Sequence, residues 1–474
     1  MSKFLLIFKW ILFCCAVANG ASNIDTSSLK KLLSSNSYIG DSTTAPRWSD
    51  YMDPQPGTVV HPALEKDVQI TVNWAIENEV PFLVQNGGNG WATTFTIGNS
   101  GIAIDLDLLR DVVFSDDKNF VTVGGGALVS NVTTAGAQNG ALVATGTCDC
   151  VGFLGAVLGG GIGYLTGEYG LGVDNIVSMN VVLADGSAKV VTPKSSPDLF
   201  WALRGAGPNF GIVTSAVVKV YPVDNNNPST AWAGALIYTP TQLDSVLGAI
   251  ANLTMESHMS LAMTWALSNT SQPSIVVSVF YHGTEDAGRT AFASLFSIGP
   301  VSDGTAVTSY ETWNVGTTTA CIKGGRKPTW AVGMSRLDPT SWHAVYDVWA
   351  ELAGQPGFEH SSVLVNINAM EKARELPAFS SAFPFRQTVN LFASITASYT
   401  DPSLDATALS YGQKSREIWQ GGDGLAQHST YINNAFGDES LETVYGVSLC
   451  KLKELKGKYD PQGQFNQWFP IPSN

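Results

Sequence analysis

Positive charge is scarce in this 474-residue chain: 26 lysines and arginines stand against 40 aspartates and glutamates, a formal net charge of −14. Phosphate binding along a polymer or lipid surface needs a concentrated basic face, so nucleic acid and anionic membranes are poor partners. The densest basic run, Lys451 to Lys458, reads as a solvated helix face. Long apolar runs are missing too. The stretch Ile11 to Val17 is far shorter than the roughly 20 residues a membrane span requires, and Lys9 precedes it. Cysteine is rare, with 6 in all. Two of these, Cys14 and Cys15, lie in the N-terminal leader. Cys148, Cys150, Cys321 and Cys450 are too few to staple a chain of this length, which excludes a disulfide scaffold. Cys321 with Cys450 is one pairing open to them. No second cysteine pair or nearby histidine completes a metal site around Cys148-Asp-Cys150. No P-loop occurs, and Gly159-Gly-Gly-Ile-Gly lacks both the spacing and the βαβ setting of a Rossmann fingerprint.

What remains is globular. Hydrophobic residues make up 44% and charged residues 14%, enough for a large core, and the length favours two lobes over one compact domain. Lys3 and Lys9, the apolar stretch, and the small residues Ala16, Ala18, Gly20 and Ala21 have the layout of a secretory signal peptide over residues 1–20. Sequons at Asn131, Asn252 and Asn269 agree with that route and predict N-glycans. The mature protein is expected in the secretory pathway or outside the cell, with no membrane attachment.

Residues 22–50 are polar and Ser-rich, a lead-in with one short helix near Ser28. Beyond it the apolar spacing predicts a strand at Thr58, a helix over Ala63 to Asn78 with Glu65 and Asp67 in its first turn, and strands at Val80 to Gln85 and Gly101 to Leu106. A hairpin surrounds Asp116-Asp-Lys-Asn, and a helix from Leu128 stops at Asn139-Gly140. A second hairpin turns at Ala184-Asp-Gly, followed by a helix from Asp198 and a strand from Ile212 to Val220. The composition changes at Asp224-Asn-Asn-Asn-Pro. From there strands and helices alternate to about Tyr399, which predicts an antiparallel sheet backed by helices. Leu441 to Lys458 reads as one helix. The fold class is α+β.

Two glycine-rich turns follow strands: Asn86-Gly-Gly-Asn-Gly, and the segment Gly146 to Gly172. Backbone amides exposed by glycines form concavities suited to a pyrophosphate, and no side chain blocks its approach. The same turns also serve as tight connections without a ligand. Their combination with neighbouring motifs is more specific. Val84-Gln-Asn-Gly-Gly-Asn-Gly, Gly146-Thr-Cys-Asp-Cys-Val-Gly with Gly159-Gly-Gly-Ile-Gly, Tyr169-Gly-Leu-Gly-Val-Asp-Asn, and Asp198-Leu-Phe-Trp-Ala-Leu-Arg-Gly with Asn209-Phe-Gly-Ile-Val-Thr resemble the FAD-binding domain of vanillyl-alcohol-oxidase-type (PCMH-type) flavoproteins. Within that group the chain is similar to the berberine-bridge-like and oligosaccharide-oxidase-like branch, of the fungal secreted type. The C-terminal Tyr431-Ile-Asn-Asn-Ala, Tyr445-Gly and Lys458-Tyr-Asp-Pro extend the resemblance over nearly all the mature chain.

The resemblance implies a two-lobed flavoprotein: an FAD-binding domain over 51–223, a substrate domain over 224–440, and a segment over 441–474 that returns to the first. It implies FAD contacts at Gly87, Gly88, Asn89, Gly90, Cys148, Gly152, Gly155, Gly163 and Val213. In the branch the first loop commonly ends in a histidine bonded to the flavin 8α-methyl; Asn89 stands there, and a carboxamide nitrogen lacks the free lone pair for that bond. No histidyl link is expected. Cys148 matches the position that bonds the flavin 6-carbon, a bond a thiolate can form; non-covalent FAD and attachment through Cys150 are the alternatives. Tyr431 is the implied catalytic base. An ordinary tyrosine, with pKa about 10, needs a cation or hydrogen-bond partner for that task, and Arg386 and His428 are the candidates. A second tyrosine common in the branch is replaced by Asn434. The implied activity is hydride transfer from an alcohol or a secondary metabolite to FAD, with dioxygen as acceptor, in natural-product biosynthesis. Oligosaccharide oxidation, for which an aromatic-lined groove built from some of the 13 tryptophans would speak, and a redox-neutral cyclase that keeps the flavin fold are the other readings.

Overall fold

The computed structural model describes residues 24–473 apart from Asn226 and Asn269. The leader and the Asn269 sequon therefore lie outside the described residues. The first lobe starts with β1 (Tyr38–Gly40), β2 (Thr58–His61), β3 (Phe82–Gln85) and β4 (Ile102–Asp105), ordered β1-β2-β4-β3. β4 runs parallel to both β2 and β3, so all three need cover on both faces and are nearly continuous in apolar residues. The Glu65–Glu77 helix supplies one cover, burying Val68, Val72 and Ala75 with Ile102 and Ile104. Its Asp67 is buried and accepts from Ser34 N, Ser34 Oγ, Ser37 Oγ and Leu64 N, which ties the helix start to the N-terminal segment.

The next strands are β5 (Val112–Phe114), β6 (Phe120–Gly124), β7 (Ala141–Leu142), β8 (Ile176–Val182), β9 (Ala188–Val191), β10 (Ile212–Lys219) and β11 (Tyr221–Pro222). Five of them form an antiparallel sheet in the order β5-β6-β10-β8-β9, and β7 pairs with β11. The Val129–Asn139 helix ends where Gly140 takes φ +63°, the left-handed stop its sequence signals.

The second lobe is one eight-stranded sheet built from β12 (Thr230–Tyr238), β13 (Met259–Leu267), β14 (Pro273–Tyr281), β15 (Ser302–Asp303), β16 (Ala306–Ser309), β17 (Thr329–Met334), β18 (Ser362–Asn368) and β19 (Leu391–Thr396). Its order is β15-β12-β14-β13-β18-β19-β17, with β16 also on β12, and every pairing is antiparallel. The Leu243–Ala251, Pro339–Ala353 and Asp405–Gly422 helices pack with it around one core. Trp232, Trp265, Trp330, Trp342, Trp349 and Trp419 are fully buried there. Nearly half of the tryptophans are thus spent on packing and are not free to line a sugar groove.

Several expectations are corrected. The 18-residue Asp405–Gly422 helix was not anticipated. The C-terminal helix is two, Leu441–Tyr445 and Leu449–Tyr459, broken at Gly446, where φ is +48°. The basic run is not wholly solvated: Lys456 is 2% exposed, paired with Asp460 at 2.7 Å and donating to Asn209 O and Phe465 O. Cys321 does not pair with Cys450. It forms a disulfide with Cys150, while Cys450 is exposed on the last helix.

The turn after β6 is the tightest backbone approach near the glycine loops. A Cβ on Gly126 would stand 1.8 Å from Leu106 O, whereas one on Gly98 meets nothing within 4 Å. Gly126→Ala is expected to cost at least about 1–3 kcal/mol through overpacking, and Gly98→Ala to leave thermal stability unchanged, as read from paired melting curves.

Candidate functional site

The first glycine turn leaves β3 at Gln85 and is pinned from behind. Asn86 Nδ2 donates to Gly125 O at 2.8 Å and Ala127 O at 3.1 Å, and Asn86 Oδ1 accepts from Gly87 N. Gly88 takes φ +72°, a conformation glycine reaches without strain. Its carbonyl accepts from Trp48 N at 2.9 Å. Arg47, nearly buried, bridges Gln85 Oε1 at 2.8 Å and Gly90 O at 2.6 Å, so one guanidinium clamps both ends of the turn.

The second glycine segment lies directly against the first. A Cβ on Gly87 would be 2.7 Å from Cys150 O and 2.8 Å from Gly152 N, and one on Gly152 would be 2.7 Å from Asn86 Nδ2. Asn89, with its carboxamide nitrogen facing the two carbonyls, donates to Cys150 O at 3.1 Å and Gly87 O at 3.0 Å. The residue in the histidine position is thereby a bracket between loops. Farther on, Gly163 closes on Thr145 O, which a Cβ would approach to 1.9 Å, and its amide donates to Thr166 Oγ1. Gly155, on the Phe153–Val157 helix, is exposed, and a Cβ there meets nothing within 4 Å. Val213 marks the point where β10 leaves β6. It pairs with Val181 on one side, while pairing to β6 begins only at Ser215 and Gly125 N donates to Thr214 O.

Residues of the second lobe hold the cysteine loop in place. Asn314 Nδ2 donates to Asp149 Oδ1 at 2.9 Å, Thr317 Oγ1 donates to Thr147 O at 2.9 Å, and Cys321 is disulfide-bonded to Cys150. Cys148 keeps a free thiol 3.6 Å from Cys150 Sγ and 3.7 Å from Cys321 Sγ. Being equally far from both sulfurs, it stands abreast of the disulfide and not in line for exchange. Burial pushes its thiol above the ordinary value. With Cys150 bonded to Cys321, Cys148 is the one free thiol of the loop.

Tyr431 reaches the glycine segment from the second lobe. Its hydroxyl oxygen accepts from Gly161 N at 3.0 Å and Asn433 Nδ2 at 2.7 Å, and Asn433 also donates to Ala156 O. Its ring lies against Phe383 and Phe392. Burial pushes the phenol up to about 12, against the lowering pull of those donors. The expected partners sit elsewhere. Arg386 is fully buried in a two-pronged pair with Asp174 at 2.8 and 2.9 Å, and His428 pairs with Asp423 at 2.7 Å. The neighbour that orients Tyr431 is Asn433, one residue before the Asn434 singled out by motif comparison.

Arg47, Trp48, Asn314 and Thr317 carry no local sequence signal, and only their contacts with the loops reveal them; Asn433 lies within the Tyr431-Ile-Asn-Asn-Ala motif. Among the described residues no protein acceptor meets the backbone N–H of Gly88, Asn89 or Gly90. Three consecutive unclaimed amides, the open face at Gly155 and adjoining backbones that admit no Cβ fit an extended diphosphate-bearing ligand.

This two-lobed α+β architecture with a doubled glycine loop defines a flavin-binding class of protein. The FAD binding domain family matches residues 56–192. The FAD-linked oxidoreductase hasG of Aspergillus fumigatus is 31% identical over 473 residues, spanning 94% of this chain and 98% of that protein. The FAD-linked oxidoreductase iacH of Pestalotiopsis fici is 32% identical over 452 residues, spanning 90% of this chain and 86% of that one. The chain belongs to the family of FAD-linked oxidoreductases and is an enzyme of the PCMH-type FAD superfamily. Among solved structures, 6-hydroxy-D-nicotine oxidase from Arthrobacter nicotinovorans shares the fold with a TM-score of 0.78 at 23% identity, over 93% of this chain and 99% of that one. Glucooligosaccharide oxidase from Acremonium strictum, described with a 6-S-cysteinyl, 8α-N1-histidyl FAD, does so with a TM-score of 0.81 at 18% identity, over 94% and 99%.

The Cys150–Cys321 bond closes a sequence separation of 171 residues. The Cys150→Ser/Cys321→Ser double variant is expected to lose about 2–4 kcal/mol and to carry less flavin per chain as purified. Unchanged flavin content would show that the disulfide does not hold the cofactor loop.

Proposed function

We propose that the protein is a secreted FAD-dependent oxidase that takes hydride from an alcohol or secondary-metabolite substrate in natural-product biosynthesis. The observation that carries this is the glycine cradle with one free thiol, Cys148, and a tyrosine, Tyr431, bonded to the same glycine segment at Gly161. In this reading residues 51–223 hold FAD, residues 224–440 form the substrate side, and residues 441–474 lock onto the first lobe. Gly87, Gly88, Asn89 and Gly90 face the diphosphate. Gly152, Gly155, Gly163 and Val213 contact the rest of the cofactor. Cys148 provides a thioether to the flavin 6-carbon, and Asn89 provides no histidyl-type bond. Relatives named FAD-linked oxidoreductases from filamentous fungi, similar over about nine-tenths of the chain, support it. N-glycans on Asn131 and Asn252 belong to the same reading; Asn252 is exposed at the end of the Leu243–Ala251 helix.

Bound FAD supplies a hydride acceptor and dioxygen the onward electron sink. The chain must then take the substrate hydroxyl proton. Tyr431 is the base: the donors Gly161 N and Asn433 Nδ2 stabilise its phenolate, although burial keeps it protonated at neutral pH. A base with pKa near 12 is active only in its deprotonated fraction, so the rate rises with pH. We expect kcat/KM to climb about tenfold per unit between pH 7 and 9, and Tyr431→Phe to flatten that profile. A level wild-type profile would remove Tyr431 from the role.

Oligosaccharide oxidation is the second reading, favoured by the fold shared with xylooligosaccharide and glucooligosaccharide oxidases. Anaerobic mixing of the yellow enzyme with panels of oligosaccharides and of aromatic or allylic alcohols separates the two by which panel bleaches the flavin. Product formed without bleaching or oxygen uptake would mean a redox-neutral cyclase and would overturn both.

A further inference from the structure

A second cluster of chemically capable side chains lies apart from the cysteine loop, at the junction of the lobes. Glu168 is on the Thr166–Tyr169 helix that follows the glycine segment. His258 and His282 come from the other lobe, one just before β13 and one just after β14. Because β13 and β14 pair Met259 with Tyr281, the two histidines are held side by side, and His282 N donates to His258 O at 2.9 Å. His282 Nδ1 is 2.7 Å from Glu168 Oε1, and His258 Nδ1 is 3.4 Å from Glu168 Oε2. All three donor atoms lie within 4.8 Å of one another.

The hydrogen bonding here leaves one nitrogen, His258 Nδ1, without a partner. His282 is buried, and its Nε2 lies 2.7 Å from Pro228 O. A carbonyl only accepts, so that nitrogen carries a proton. Nδ1 then either bears a second proton or presents a lone pair to a carboxylate, and two acceptors cannot face each other without a cation between them. His258 Nδ1 is buried and has no hydrogen-bond partner, although its ring is partly exposed. One divalent ion answers all three donors at once, where protons would require two. An imidazole that donates its far N–H to a backbone carbonyl is also the usual way a metal-binding histidine is oriented. Metal–ligand bonds of about 2.0–2.2 Å place neighbouring donors roughly 3.0–3.5 Å apart; His258 Nδ1 and Glu168 Oε2 stand at 3.4 Å, and His282 Nδ1 and Glu168 Oε1, at 2.7 Å, must open slightly to admit the ion.

We propose that Glu168, His258 and His282 bind a borderline divalent transition metal, with zinc as the test ion, that pins the flavin lobe to the substrate lobe. The half-exposed His258 leaves a path for the ion and a coordination position for water.

The test uses the full chain with its flavin, stripped by chelator and dialysed against zinc chloride. One zinc per chain and a rise in melting temperature are expected, both lost in His258→Gln, whose exposed side chain makes it the variant least harmful to folding. Both must persist in Cys450→Ser, which removes the exposed thiol of the last helix as a competing ligand. Absence of bound zinc at about 100-fold excess over protein, or a response that survives His258→Gln, overturns the proposal and leaves a proton-shared histidine–glutamate cluster. A response lost in Cys450→Ser but not in His258→Gln would move the ion to the last helix and equally overturn it. Because the readouts are metal content and melting temperature, failure here is distinct from failure of the oxidase reading.

Discussion

The contact on which the rest of the site depends is the abutment of two backbones, Gly87 against Cys150 and Gly152. Neither segment tolerates a Cβ there. Once the backbones meet, the available donors are committed: Asn86 to the β6 turn, Asn89 to Cys150 O, and Arg47 to both ends of the first loop. The amides of Gly88, Asn89 and Gly90 are left without a protein acceptor among the described residues. A concavity of this kind costs side-chain packing energy, and the recovery comes from elsewhere. The second lobe supplies it through Asn314, Thr317 and the Cys150–Cys321 bond. The doubled glycine loop is therefore a product of both lobes, although every motif in it belongs to one.

Much of this was legible in the sequence because it is local. The parallel strands read as apolar runs, the Val129–Asn139 helix announces its stop at Gly140, and the glycine loops point to a phosphate-bearing ligand. What stayed hidden is non-local or made of small residues. Arg47 and Trp48 sit in a polar lead-in with no periodicity, and nothing in that stretch announces the loop they hold. Cys321 meets Cys150 across 171 residues, a pairing that no spacing rule contains. The Asp405–Gly422 helix buries Ala408, Gly412, Ser415 and Trp419, a face whose period is helical but whose first three residues are too small to stand out as an apolar stripe. Gly412 is small because Trp330 lies against it. Likewise Lys456 looked like solvated charge, and only the tertiary contacts with Asp460 and Asn209 O reveal it as a buried post.

The site's chemistry turns on two substitutions of character. At the first, an amide occupies the place of a covalent histidine and spends its hydrogen bonds joining loops. At the second, a disulfide removes Cys150 from competition, so that Cys148 alone keeps a thiol. Burial holds that thiol and the Tyr431 phenol in their protonated forms. Tyr431 has stabilising donors in Gly161 N and Asn433 Nδ2. The Glu168–His258–His282 cluster joins the lobes at a separate place.

The most direct test of the account is peptide mapping of the acid-quenched, unreduced protein. The account predicts a flavin-bearing peptide modified at Cys148, with Cys150 and Cys321 recovered as a cross-linked pair. Flavin found on Cys150, or an unmodified Cys148 with all flavin in the supernatant, would contradict the assignment of the thioether.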